Sequence, residues 1–194
     1  MFISQDQCII ARQPSTINDL LITVVCGPWT IDYIMYIPFQ QLPAHSRIWI
    51  YQANRPLTDA EVEALQPVLN QFVTEWTSHG QRLQASAQVF HHQFLVIAND
   101  EDVNSPSGCS IDASVRFVKQ LEQTLNVSFF DRTQLAFLQD GKVAVIPLKA
   151  IKEEVRAGSL RPDSLYFDNT VSTAGQLQQA WPRQAKETWL SRYF

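Results

Sequence analysis

From Arg47 onward the apolar and polar positions follow regular periods. Arg47-Ile48-Trp49-Ile50-Tyr51-Gln52 is β-branched and aromatic, which predicts a strand. Ile48 and Ile50 fall on one side of that strand and Trp49 and Tyr51 on the other, so both faces require cover. Pro56 ends it. Thr58-Asp59-Ala60-Glu61 has capping-box spacing, and Val62, Leu65, Leu69, Phe72, Val73 and Trp76 then recur at helical intervals. Pro67 is expected to bend this helix, and Gly80 to stand just past its C-terminus. Leu83–Phe90 and Phe94–Ala98 are strand patterns joined at His91-His92-Gln93. Ile111, Val115, Val118, Leu121 and Leu125 mark a second helix with Asn126 as its C-cap. Leu135–Leu138 and Val143–Leu148 flank Asp140-Gly141, a strong hairpin signal. A short helix follows over Ala150–Arg156, then a strand at Leu165–Phe167 and another short helix opening at Thr173.

The order β-α-β-β-α-β with one extra hairpin strand predicts an α+β fold, specifically a ferredoxin-like sandwich with helices on one sheet face. The aromatic C-terminal third (Tyr166, Phe167, Trp181, Trp189, Tyr193 and Phe194) is expected to pack on the other face.

Residues 1–34 look different. Their only cation is Arg12, and Asp6 and Asp19 interrupt the charge and apolar layout that a signal peptide needs. The segment reads as an N-terminal extension to a single domain at 35–194, with Met35 as the natural start. An edge strand at Leu20–Val25 is the other reading.

Composition narrows the function. The chain has 194 residues, 45% of them hydrophobic, and a formal net charge of −4. That balance disfavours nucleic acid and anionic membranes as partners. No run of about 18 apolar residues predicts a membrane span. Three cysteines, Cys8, Cys26 and Cys109, have neither disulfide nor zinc spacing, which fits a reducing cytoplasm. No cofactor is expected.

Candidate chemistry gathers in Asn99–Phe117, where a strand runs through Asp100, Glu101 and Asp102 into a loop and the second helix. Cys109 falls in the first turn of that helix, where the macrodipole favours an anion. The nearby acids would oppose it, so the preferred reading has Cys109 filling a small apolar space. Its use as a nucleophile, with His45 or His79 as base, is the alternative. Asp100, Asp102, Ser110 and Asp112 are candidate binding residues, with Asp112 also read as a helix cap. Asp100, Asp102 and Asn104 share the first EF-hand spacings. Ser105 and Ile111 stand where that loop needs Gly and Glu, so no metal is expected. Trp49, Tyr51 and Phe94 could form an aromatic platform for single strands, but the glycine-rich basic pattern of such modules is absent.

WIYQANRPLTDAE, WTSHG, SGCSIDASVRFVKQLE, FFDR and the closing WLSRYF resemble an uncharacterised bacterial family often labelled "ABC transporter ATPase". The resemblance covers roughly Met35 to Phe194, and GCSID followed by S-V is its most specific piece. It implies a chain starting near Met35 and assigns no catalytic residues. The residues lead to a binding or protein-interaction module for an unidentified small molecule or protein, with a thiol-dependent enzyme as the alternative.

The label conflicts with the residues. A P-loop requires G-x-x-x-x-G-K-[ST] so that backbone donors and a lysine cradle the phosphates. None of the six glycines begins that pattern. Calorimetric titration with Mg-ATP is therefore expected to show no P-loop binding. Tight binding lost on mutation of a single lysine would contradict this.

Overall fold

The computed structural model describes residues 37–194; the expectations for residues 1–34 lie outside them. The described elements are β1 (Arg47–Gln52), α1 (Asp59–Glu75), β2 (Thr77–Ser78), β3 (Gln81–Arg82), β4 (Ala85–Phe90), β5 (Phe94–Asn99), α2 (Gly108–Leu125), β6 (Gln134–Gln139), β7 (Lys142–Pro147), α3 (Ile151–Arg156), β8 (Leu165–Tyr166), α4 (Ala174–Ala180) and β9 (Arg183–Gln184). They form an α+β structure with three antiparallel sheets, ordered β1-β5-β4, β2-β3 and β7-β6-β8-β9.

Local chemistry explains most element boundaries. Thr58 and Glu61 form a complete capping box, so α1 starts where both orphan donors are satisfied. The helix continues through Pro67 to Glu75. Asn126 caps α2 in the left-handed conformation (φ 51°), as its sequence position suggests. Asp140 and Gly141 both have positive φ (48° and 74°), the geometry of a two-residue hairpin between β6 and β7. His91 and His92 (φ 50° and 53°) turn β4 into β5.

Gly80 does not follow the helix end. Trp76 is the C-cap of α1, and Gly80 (φ 79°) pairs with His79 (φ 51°) in the turn of the small β2-β3 hairpin. Both turn positions need positive φ, which glycine supplies without strain.

The central strand is β5. All six of its residues are buried, and Leu95, Val96 and Ile97 are fully inaccessible. Each such side chain contributes about 1.5–3 kcal/mol. On one face Tyr51, Leu95 and Ile97 pack with Leu65, Leu69 and Val73 of α1 and Val118 and Leu121 of α2. On the other, Ile48, Phe94 and Val96 pack with Ala136 of β6, Phe167, Leu177 and Trp181. The second sheet uses its far face to pack Leu135 and Phe137 on Ile151, Tyr166 and Leu190. The layers are helices, three-stranded sheet, four-stranded sheet, and the segments carrying Ile151 and Leu190.

The second cover is therefore the C-terminal third, with one division of labour: Phe167 and Trp181 cover the β1 sheet, whereas Tyr166, Trp189 and Tyr193 pack on the far side. Trp49 and Tyr51 face the helices and Phe94 faces the opposite way, so these rings form no shared platform. The strand expected to extend the first sheet, β6, pairs with β7 and β8 instead of β1. Ser172 and Thr173 take part of the place beside β1: Ile48 N–H donates to Ser172 O (2.9 Å), and Ala174 N–H to Ser46 O (2.9 Å).

Asp168 organises this crossing. It is 1% exposed, accepts from Thr170 N–H (3.0 Å) and Oγ1 (2.6 Å), and pairs with Arg183. Burial opposes its charge, but Arg183 and Thr170 outweigh that and hold its carboxyl below the usual carboxylate range. A depressed carboxyl stabilises the fold above the unfolded-state value of about 4 and loses that contribution as pH falls through the folded value. Asp168→Asn is expected to cost about 2–3 kcal/mol at pH 7, less than a fully buried pair because Arg183 remains partly exposed. Urea unfolding should show the gap between wild type and variant narrowing below about pH 4; a constant gap would exclude the charge as its source.

Candidate functional site

The Asn99–Phe117 stretch is built by short-range hydrogen bonds. Asp100 N–H continues the β4-β5 ladder to Gln84 O (2.8 Å). Asp100 Oδ1 then accepts from Asp102 N–H (3.1 Å), and Asn99 Nδ2 donates to Asn104 O (3.0 Å), closing the loop. Ser107 is the N-cap of α2 and forms a reciprocal box with Ser110. The β2-β3 hairpin holds the same point: Ser107 N–H donates to Ser78 Oγ (3.1 Å) and Ser110 Oγ to Thr77 O (2.8 Å). Trp76 Nε1 donates to Ser110 O (2.8 Å).

These contacts place the residues that the sequence singles out. The Ser110 hydroxyl is buried and committed to Thr77 and Ser107, which makes it part of the scaffold. Asp112 is exposed in the second turn; Ser107, not Asp112, caps the helix. Cys109 is exposed and does not fill an apolar space. The reason is helical phase: Ser110 and Ser114 occupy the buried positions, which turns Cys109 outward. Cys109 and His79 line one shallow depression of about 400 Å³ with Phe72, Glu75 and Trp76. Asp100 and Asp102 are absent from it. Their carboxylates face His45, whose Nε2 lies 2.9 Å from Asp102 Oδ2 and 3.7 Å from Asp100 Oδ1. The two halves of the expected site are thus separate.

A larger groove, about 580 Å³, lies beside β1. Its walls include Trp49, Tyr51, Ile111, Val115, Phe130 and Trp189. Its polar floor is a chain of amides: Asn169 Nδ2 donates to Gln52 Oε1 (2.9 Å), and Gln52 Nε2 donates to Gln134 O (3.2 Å). Burial pushes the Tyr51 phenol up, although a hydrogen bond with Ser114 pulls the other way. Burial likewise pushes the Tyr166 phenol up to about 12, so both rings enter the groove as neutral groups at neutral pH. At the rim Asp131 accepts from Thr133 Oγ1 (2.6 Å) and N–H (2.9 Å), which hold its carboxyl below the usual range. Among the described residues Arg132 makes no ion pair.

The groove also exposes main chain. In an antiparallel strand, successive residues turn their N–H and C=O to opposite edges. Ile48 N–H points away from β5, to Ser172, so Ile50 presents its N–H and C=O to the same outer edge. Among the described residues neither group has a backbone partner there. Sequence reading found the apolar alternation of β1 but not the groove, because the departure of β6 from β1 leaves no local signal.

Comparisons with protein families, with curated proteins and with solved structures find no match for this chain.

The exposed thiol generates a test. Cys109→Ala should change stability by less than about 0.5 kcal/mol, as at an ordinary surface position. Alkylation of Cys109 in the folded protein should be fast, and Asp100→Asn and Asp102→Asn should leave its rate unchanged. A slow native rate that rises on denaturation would return Cys109 to the interior.

Proposed function

We propose that this protein is a binding module that takes an extended polypeptide segment into the groove beside β1. The observation that carries the reading is the unpaired edge at Ile50, set between aromatic and aliphatic walls. An unpaired strand edge supplies main-chain hydrogen bonds, and flanking apolar walls receive alternate side chains. A volume of about 580 Å³ accommodates a few residues of such a segment. Arg132 at the rim favours a carboxylate on the bound segment.

The strand order β1-β5-β4, with α1 and α2 on one face, supports a ferredoxin-like reading of that part of the chain. In this reading the bound segment takes the position beside β1 that a fourth strand would occupy. We also propose membership of the family that the GCSID segment resembles, as a cytoplasmic binding protein rather than an ATPase.

A thiol-dependent enzyme is the second reading, supported by the exposure of Cys109 and by His79 in the same depression. The shallowness of that depression favours the groove.

Selection from a random peptide library should yield binders that shift the Ile50 and Gln52 amide resonances. Val115→Arg, which fills the groove from α2, should weaken them at least tenfold with little change in melting temperature. Binders that shift the Cys109 region instead, or that tolerate Val115→Arg, would refute the assignment.

A further inference from the structure

The pair of carboxylates that the Asn99–Phe117 stretch does not bring to Cys109 has a different neighbour. His45, from the segment before β1, stands beside the loop after β5 because Arg47 and Asn99 are paired across the sheet. Its Nε2, an oxygen of Asp100 and an oxygen of Asp102 all lie within 4.8 Å of one another.

We infer that His45, Asp100 and Asp102 form a binding site for one divalent transition-metal ion of the zinc class. Two ligand atoms at ~2.1 Å from a metal stand about 3.0 Å apart at a right angle and about 3.4 Å apart at the tetrahedral angle. The observed separations from His45, 2.9 Å and 3.7 Å, bracket those values. One imidazole nitrogen and two carboxylate oxygens suit zinc better than the all-oxygen shells that calcium and magnesium require.

The second observation concerns Asp100. Its side chain is only 9% exposed. Among the described residues, its hydrogen-bond donor is Asp102 N–H and its imidazole neighbour is His45, both members of the cluster. A carboxylate so far removed from water gains from a cation in direct contact with it. Arg47, two residues after His45, does not supply one: it pairs with Glu101 (3.5 Å) and lies over the Trp49 ring (4.8 Å). A cation bridging Asp100, Asp102 and His45 satisfies the buried carboxylate directly. His45 and Asp102 are 56% and 71% exposed, which leaves an entry path and room for water ligands. The EF-hand spacing misses this arrangement because its third ligand comes from a distant segment.

The test is calorimetric titration of the chelator-treated full chain with zinc chloride, alongside thermal unfolding with and without zinc. One His45-dependent equivalent is expected. His45→Ala and Asp102→Asn should each weaken it at least about tenfold. Zinc should raise the melting temperature of the wild type but not of His45→Ala. His79→Ala and Cys109→Ala should retain the equivalent in full. Both ligand substitutions are at exposed side chains, and circular dichroism at 25 °C verifies that the variants are folded. Absence of saturable binding, binding unaffected by His45→Ala, or binding lost with His79 or Cys109 would each overturn the assignment.

Discussion

Burial of β5 on both faces is the constraint on which the described structure depends. With no residue from Phe94 to Asn99 reaching solvent, the three-stranded sheet needs a separate apolar cover on each side. The helices supply one through Leu65, Leu69, Val118 and Leu121. Nothing in the β1-to-α2 unit can supply the other, so the C-terminal third is drawn across it, and Phe167 and Trp181 are packed against Phe94. That third must in turn cover its own far side, which it does with Ile151, Leu160 and Leu190. Asp168 and Arg183 hold the crossing segment where the two sheets meet.

Much of this was legible in residue order. The alternation in β1 announced two covered faces. The Thr58–Glu61 box, Asn126 and Asp140-Gly141 marked boundaries through local backbone chemistry, which tertiary structure had no reason to override. The reading failed where geometry is set by distant partners. Gly80 carries the same positive-φ signal in a helix cap and in a hairpin; the pairing of Thr77 with Arg82 decides between them. The pairing of β6 depends on competition between β1, β7 and β8, and no local pattern records its outcome.

The candidate site divides for a similar reason. Residues adjacent in sequence from Asp100 to Asp112 diverge in space because the loop closes on itself through Asn99 and Asn104 before α2 begins. Ser107 and Ser110 then lock the helix to the β2-β3 hairpin, and helical phase turns Cys109 away from the core. Sequence proximity suggested one cluster containing acids and thiol. The fold places the acids with His45 and the thiol with His79, two neighbours no spacing rule connects to them.

An open strand edge is hazardous because it templates pairing with other chains. At β1 the hazard is contained without being removed. Ser172 and Thr173 pair with the start of the strand and then diverge, since Asp168 bends the preceding residues toward Thr170 and Arg183. The remaining edge lies beside the α2 wall and the Phe129–Arg132 segment, which line the same groove. On the proposed reading, that setting suits a single extended chain, and the aromatic walls would make the choice of occupant depend on side chains as well as on main-chain hydrogen bonds.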